Sequence, residues 1–110
     1  MTANQNDPEA QSNLGFIYLA GKYIACDINK AIHYYTLAAN QNFLPAQYNL
    51  GIIYSTDEFF TIDMNKAIHY LTLVANQNHS GAQFQLGYIY HKGKHVTRDI
   101  NKAIHYYSLA

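Results

Sequence analysis

The sequence of 110 residues lacks several features that commonly indicate a function. Seven Lys and Arg balance seven Asp and Glu, so the charge excess typical of proteins that bind nucleic acids or anionic membranes is absent. No apolar stretch approaches the roughly 18 residues of a membrane-spanning helix. No basic segment followed by an apolar one is found at the N-terminus. We therefore expect a cytoplasmic protein with no nucleic-acid or membrane partner, unless the chain is a fragment whose targeting signal lies elsewhere.

Catalytic motifs are also missing. The single cysteine, Cys26, cannot form an intrachain disulfide or a paired-cysteine metal site, and the neighbouring carboxylate of Asp27 disfavours a thiolate. The sequence contains no phosphate-binding loop and neither a GxSxG nor an HExxH motif. We therefore predict that the chain is not an enzyme and has no catalytic residue, cofactor or metal.

An internal repeat of 36 residues organises the sequence. The motif ANQN begins at residues 3, 39 and 75, and NKAIHY begins at residues 29, 65 and 101. Three copies follow one another without insertion, at about 3–38, 39–74 and 75–110, and 18 of the 36 positions are identical in all three. Because such a short unit cannot bury its apolar face alone, the repeat predicts helix pairs that stack side by side.

Each copy predicts two helices. In the first copy they extend roughly over residues 8–20 and 28–40, and Asp7 and Asp27 are the expected N-caps. Asp63 and Asp99 repeat the second cap, and Ser80 is the expected cap of the first helix in the third copy. The apolar stripe of the first helix is expected to contain the following residues: Ala10, Leu14, Ile17 and Tyr18.

Two residue types are expected to have special backbone roles. Asn42 and Asn78 follow second helices, at positions where a left-handed residue is usual. Gly15, Gly51 and Gly87 lie inside first helices, where glycine costs about 1 kcal/mol relative to alanine. This repeated cost predicts that two helices approach too closely there to leave room for a side chain.

The six histidines do not predict a metal site. His33, His69 and His105 recur once per copy on the polar face of the second helix, too far apart to share one ion with ligand bonds of about 2 Å. His91 and His95 are four residues apart, but Gly93 lies between them at the expected helix end. We expect all of these side chains to lie at the surface.

The segments LGFIYLAGKYIACDINKAIHYYTLAA, LGIIYSTDEFFTIDMNKAIHYLTLVA and LGYIYHKGKHVTRDINKAIHYYSLA resemble the Sel-1-like repeat, a relative of the tetratricopeptide repeat. The residues that carry this signature are Leu14, Gly15, Tyr18, Asp27, Ala31, Leu50, Gly51, Tyr54, Asp63, Ala67, Leu86, Gly87, Tyr90, Asp99 and Ala103. The resemblance implies an all-α, TPR-like α-α superhelix of three helix-turn-helix repeats. It also implies a scaffold that binds a protein or peptide on its concave surface.

Several loop residues depart from the family pattern. Tyr23, Phe59 and His95 stand where the family usually has a second loop glycine, and Asp57 replaces the first glycine in the middle copy. The only β-branched and aromatic run, residues 59–62, lies in this same loop. We therefore expect the loop of the middle copy to be locally distinctive.

The expected partner-binding residues are exposed first-helix positions that vary between copies, since related solenoids line their inner surface with these positions. They are Ser12, Phe16, Leu19, Tyr48, Ile52, Ser55, Phe84, Tyr88 and His91. Such a surface is largely uncharged and aromatic. Asn13, Asn49 and Gln85 could hydrogen-bond a peptide backbone there. A second interpretation stays open, in which these rings pack against the next repeat.

Two functional hypotheses follow from the repeat. The first is a non-catalytic interaction scaffold or adaptor. The alternative is a regulatory or targeting segment of a larger multidomain enzyme or of a ubiquitin-ligase or kinase signalling assembly, supported by family analogy alone. The copies lack polar capping helices at either end, so we expect a fragment of a longer array that self-associates through its uncapped ends.

Overall fold

The computed structural model describes residues 6–59 and 61–110, which form six α-helices. They are α1 (Pro8–Ala20), α2 (Ile28–Ala39), α3 (Leu44–Ser55), α4 (Met64–Ala75), α5 (Ser80–Lys92) and α6 (Ile100–Leu109). No β-strand occurs in these residues. The expected start of the first copy at residue 3, and Phe60 of the aromatic run, lie outside the described residues. The chain divides into two compact units, Met1–Leu50 and Gly51–Ala110, which we call unit 1 and unit 2.

Four of the helices, α1, α2, α4 and α6, begin at the aspartates predicted as their caps. The carboxylate of Asp7 accepts a hydrogen bond from the backbone N–H of Glu9 at 2.9 Å, and Pro8 occupies the first helical position. Asp27 caps α2 by accepting from the N–H of Lys30 at 3.1 Å. The corresponding aspartates cap α4 and α6 in the same way. Each cap satisfies an N–H that the helix itself leaves unpaired.

One predicted cap is wrong. The helix α5 is capped by His79, whose Nδ1 accepts a hydrogen bond from the N–H of Ala82 at 3.0 Å. Ser80 is instead the first residue of the helix. A neutral imidazole nitrogen can replace the usual oxygen acceptor at this position, and a search limited to Ser, Thr, Asp and Asn overlooks it.

The turns that follow α2 and α4 contain the expected left-handed asparagines. The backbone φ angle is 61° at Asn42 and 64° at Asn78. Gly21 and Gly93 adopt similar angles at the ends of α1 and α5, with φ of 66° and 62°. Asparagine and glycine tolerate this conformation better than other residues, so these four positions fix where the helices end.

Helical glycines bring the two helices of a pair into direct contact, as predicted. A Cβ atom added to Gly15 would lie 2.9 Å from the ring of Tyr35. An added Cβ at Gly51 would lie 2.7 Å from Leu71, and one at Gly87 would lie 2.7 Å from Tyr107. These distances are too short for carbon atoms in van der Waals contact. The absence of a side chain therefore allows each first helix to rest on its partner.

The predicted apolar stripe of α1 is not its most buried face. The buried residues are Gln11, Ser12 and Gly15, whereas Leu14 stays 39% exposed. In α5 the corresponding Leu86 is fully buried, because α4 packs against α5 there. No helix precedes α1 among the described residues.

Buried glutamines link one helix pair to the next within each unit. In unit 1 the side-chain amide of Gln47 donates to the carbonyl of Ala39 at 3.2 Å. In unit 2 the amide of Gln83, 36 residues later, donates to the carbonyl of Ala75 at 3.1 Å. Both carbonyls belong to the last residue of a second helix. The glutamines thus satisfy backbone acceptors that a helix end leaves unpaired.

Candidate functional site

The predicted binding residues of unit 1 differ in their exposure. Phe16 is 61% exposed, and Leu19 and Tyr48 are half-buried. Ser12 is only 8% exposed, so its prediction as a surface residue is wrong. Residues three apart share a helix face, so Ser12 lies with Gly15 on the side that packs against α2.

In unit 2, three of the predicted residues line one cleft. Ile52 and Ser55 come from the last turns of α3, and Tyr88 comes from the middle of α5. The cleft has a volume of about 560 Å³. Its lining residues are Ile52, Ser55, Thr56, Asp57, Ile62, Met64, Gln85, Tyr88, Ile89, Lys92, Lys94 and His95. It is therefore formed by two first helices and by the loops that follow them.

The interior of the cleft is partly apolar. Ile62 and Met64 stand at the entry to α4, the ring of Tyr88 is partly exposed, and Ile89 is almost fully buried. Gln85 adds an amide that can both donate and accept hydrogen bonds. Sequence reasoning confined to first-helix positions missed Ile62 and Met64, because the cleft also uses the segment that leads into the second helix.

Charged side chains surround the mouth of the cleft. The ammonium of Lys94 lies 3.5 Å from the carboxylate of Asp57, and both side chains are exposed. The ammonium of Lys92 lies 5.5 Å from the centre of the Tyr88 ring, a distance typical of a cation–π contact. The mouth thus differs from the uncharged surface expected of the first helices alone. The signal for it was Asp57, which departs from the family's loop glycine.

Two further predicted residues, Phe84 and His91, meet at a different place. The ring of Phe84 lies 5.5 Å from that of Tyr107. Nδ1 of His91 lies 3.2 Å from the hydroxyl of the same tyrosine. Phe84 remains 51% exposed. Phe84 and His91 therefore both contact Tyr107 on α6, and they lie outside the cleft lining.

A group of four side chains recurs in every repeat, and we call it the aromatic stack. In the first repeat the rings of Tyr18 and Tyr34 stack with centroids 5.8 Å apart. The ammonium of Lys30 lies 5.2 Å from the Tyr18 centroid, and His33 meets the edge of Tyr34 at 5.1 Å. Residues 36 and 72 positions later repeat these contacts. The repeated tyrosines thus pack between the two helices of each pair, and the exposed histidines join the same contacts.

Burial affects the tyrosines of the middle stack. It raises the pKa of the Tyr54 hydroxyl, and the nearby carboxylate of Asp63 adds to this effect. Burial likewise raises the pKa of the Tyr70 hydroxyl. Both hydroxyls stay protonated at neutral pH, so the stack presents neutral rings beneath the cation of Lys66.

The described part of the chain holds neither a cluster of potential metal ligands nor a membrane-spanning helix. No three His, Cys, Asp or Glu side chains come together there as potential metal ligands. None of its helices combines the length and the apolar character needed to cross a bilayer. The described surface carries the cleft and the repeated aromatic contacts.

Comparison with protein families decides the classification. The model of the Sel1 repeat matches residues 8–43, 44–79 and 80–110. The chain belongs to the Sel1 repeat family. The first two matched repeats have the 36-residue period of the sequence, and each begins five residues after the start expected from the sequence motifs. No curated protein matches the chain.

Solved Sel1 repeat structures share the fold. A Sel1 repeat protein from Oxalobacter formigenes is 30% identical, with a TM-score of 0.79 over 96% of this chain and 42% of its own. A protective antigen of uropathogenic Escherichia coli strains, described as having an SLR fold, is 27% identical, with a TM-score of 0.85 over 98% of this chain and 25% of its own. An immunity protein from Pseudomonas aeruginosa is 28% identical, with a TM-score of 0.67 over 94% of this chain and 39% of its own.

These likenesses confirm the predicted all-α helical repeat solenoid as the fold class. The chain spans less than half the length of each of these three proteins. Sel1 repeats commonly mediate protein–protein interactions and generally serve as non-catalytic scaffolds.

Proposed function

We propose that this chain is a non-catalytic scaffold or adaptor module, and that the cleft of unit 2 binds an extended segment of a partner protein. One observation supports this most directly. Three residues chosen from the sequence as variable, exposed first-helix positions, Ile52, Ser55 and Tyr88, line the same cleft. Residues that only maintained the repeat would be expected to stay constant between copies.

The side chains of the cleft suit a peptide. Tyr88 is 46% exposed, and tyrosines are enriched among the residues that dominate binding energy. The volume of about 560 Å³ lies within the range of roughly 300–1,000 Å³ typical of ligand clefts. Ser55 and Gln85 offer side-chain hydrogen bonds to an extended backbone. An apolar side chain of the partner would lie beside Ile62 and Met64.

The other predicted residues remain secondary parts of this proposal. Phe16, Leu19 and Tyr48 supply apolar surface in unit 1, and Phe84 and His91 supply exposed side chains around Tyr107 in unit 2. Ser12 is excluded by its burial.

The test begins with peptides selected on the 110-residue protein from a random heptapeptide library displayed on phage. Synthetic copies of the enriched peptides are then titrated by fluorescence anisotropy. Tyr88→Ser should weaken binding by about 30-fold, which corresponds to the ~2 kcal/mol typical of a hot-spot residue. Tyr23→Ser is the matched control, since Tyr23 is an exposed tyrosine in a loop of unit 1. It should leave the affinity unchanged.

Thermal unfolding of the same variants separates binding from packing. Both should keep the Tm of the parent within a few degrees, because neither ring is buried. A Tyr88→Ser protein with a much lower Tm would identify the ring as packing between repeats, against the proposal. Equal peptide affinities of the parent and Tyr88→Ser would also contradict it.

A further inference from the structure

We infer that the cleft of unit 2 selects a partner segment in which a carboxylate stands next to an apolar side chain, with Lys92 as the partner of that carboxylate. This assignment of the ligand's chemistry rests on the proposed function. It concerns an Asp or Glu residue of the bound segment.

The first support is the position of Lys92. Its ammonium lies over the ring of Tyr88, 5.5 Å from the centroid, and both residues line the cleft. When a ligand inserts an apolar side chain into the cleft, the neighbouring side chain of the ligand would lie close to this cation. Within residues 6–59 and 61–110, Lys92 forms no ion pair.

The second support is the charge of the lining. Among the described residues, it contains the ammonium groups of Lys92 and Lys94 and one carboxylate, that of Asp57. Asp57 is paired with Lys94 at 3.5 Å, which leaves Lys92 without a compensating charge. Asp63 is next to two lining residues in sequence, but its carboxylate caps α4 by accepting from the N–H of Lys66. The local charge therefore favours an anionic group on the ligand.

The third support is that Asp57 and Lys92 each occur in one copy only. The equivalents of Asp57 are Gly21 and Gly93, and those of Lys92 are Ala20 and Thr56, whereas Lys94 recurs as Lys22 in the first copy. The helix caps and the aromatic stacks keep their residues from copy to copy, so the frame does not require the charges of the cleft. Variation of this kind is expected at positions that select a partner.

The ion pair of Asp57 and Lys94 adds a competing contact. A ligand carboxylate that also approaches Lys94 must displace the carboxylate of Asp57. Because the pair is solvent-exposed, its own stabilisation is small, and displacement is accessible to a ligand. Removal of the Asp57 charge should therefore improve binding of an acidic peptide.

The experiment uses matched synthetic peptides. Peptides enriched on the parent protein should contain Asp or Glu next to Leu, Ile, Met or Phe, and each is compared with its Glu→Gln or Asp→Asn analogue. The parent should prefer the acidic peptide by about two- to five-fold, as expected of an exposed charge pair. Lys92→Gln should abolish this preference, and Asp57→Asn should increase it.

The control for Lys92→Gln is Lys22→Gln. Lys22 also lies over an exposed tyrosine ring, that of Tyr23 at 5.3 Å, but in a loop of unit 1. This variant should keep the full preference for the acidic peptide. A rise in salt from about 0.05 to 0.5 M should reduce the preference in the parent and leave binding of the neutral analogue nearly constant.

Two failures are distinguishable. Equal affinity for the acidic and neutral peptides, with both lost in Tyr88→Ser, would overturn the carboxylate preference and leave the cleft as a peptide site. Binding that does not change in Tyr88→Ser would instead overturn the proposed function. An acidic preference that persists in Lys92→Gln and disappears in Lys22→Gln would place the anion contact in unit 1, against the inference.

Discussion

The helix pairs of the three repeats make the same contacts, whereas the loops inside the pairs do not. Stacked tyrosines lie 5.8, 6.4 and 6.1 Å apart in successive repeats. The loops share little: the first and third begin with a left-handed glycine, and the second carries Asp57, which bonds to the loop of the next repeat. The pair itself thus holds the fold, and the loops are free to vary the chemistry of the surface.

One hydrogen bond explains how the loops can vary. The backbone N–H of the capping aspartate donates to the carbonyl of the stacked tyrosine in the preceding helix, for example from Asp27 to Tyr18 at 3.0 Å. The same bond occurs 36 and 72 residues later, at 2.9 and 3.0 Å. This hydrogen bond therefore holds the start of the second helix against the first helix, whatever the sequence of the loop between them.

The largest loss of stability is expected when a side chain fills the close contact between the two helices of a pair. Gly51→Leu should lower the free energy of unfolding by at least about 1–3 kcal/mol, because even its Cβ would lie 2.7 Å from Leu71. Gly51→Ala should have a smaller effect, and Gly51→Ala combined with Leu71→Ala should show coupling between the two positions. Urea unfolding measures all three proteins.

Gly81→Ala is the control for the glycine variants. Gly81 lies in the first turn of α5, where alanine is the better helix former, so this change should not lower the urea midpoint. A Gly51→Leu protein with the midpoint of the parent would remove the close-contact explanation for the repeated glycines.

A second test concerns Tyr35, which occupies in the first repeat the core position that Leu71 occupies in the second. Tyr35 is fully buried, and among the described residues its hydroxyl has no partner in hydrogen-bonding geometry. Burial raises the pKa of Tyr35 to about 12, and the Asn49 side chain offsets part of this effect. Because the folded state holds this proton more tightly than the unfolded state, stability should be intact below pH 10 and should fall as the pH rises from 10 towards 12.

Tyr35→Phe should therefore lose less stability at alkaline pH than the parent. At pH 7 it should be as stable as the parent or slightly more stable, since it removes a buried hydroxyl that lacks a partner. Tyr54 and Tyr70 also have raised pKa values, so part of the alkaline loss remains. Urea unfolding from pH 7 to 11 tests this, and Tyr23→Phe, at an exposed ring, is the control. Identical pH dependence of the parent and Tyr35→Phe would refute the assignment.

The smallest effect on stability is expected for substitutions in the loops, which differ between repeats. Asp57→Asn removes the ion pair with Lys94, and because both side chains are exposed the free energy of unfolding should change by less than about 1 kcal/mol. Differential scanning calorimetry of the parent, Asp57→Asn and Lys94→Gln provides the measurement. A loss as large as that of Gly51→Leu would mean that the loops, too, hold the fold.

Much of the structure of the repeated helix pairs could be predicted from the sequence, because the residues that determine it are close in sequence or recur with the repeat. The capping aspartates, the left-handed Asn42 and Asn78, and the glycine contacts each depend on residues close in sequence or on the 36-residue repeat. The second helices also have one clear apolar face, with Ala31 and Tyr35 buried on α2. Periodicity alone sufficed for these features.

The burial of individual first-helix residues and the composition of the cleft were decided only by the tertiary structure. Apolar residues surround α1, α3 and α5 without one dominant face, so the pattern could not show that Leu14 is exposed and Ser12 buried. The cleft joins Tyr88 to Ile62 and Lys94, which come from the loops of two successive repeats. Such neighbours are selected by packing between helix pairs, through contacts that a local sequence pattern does not record.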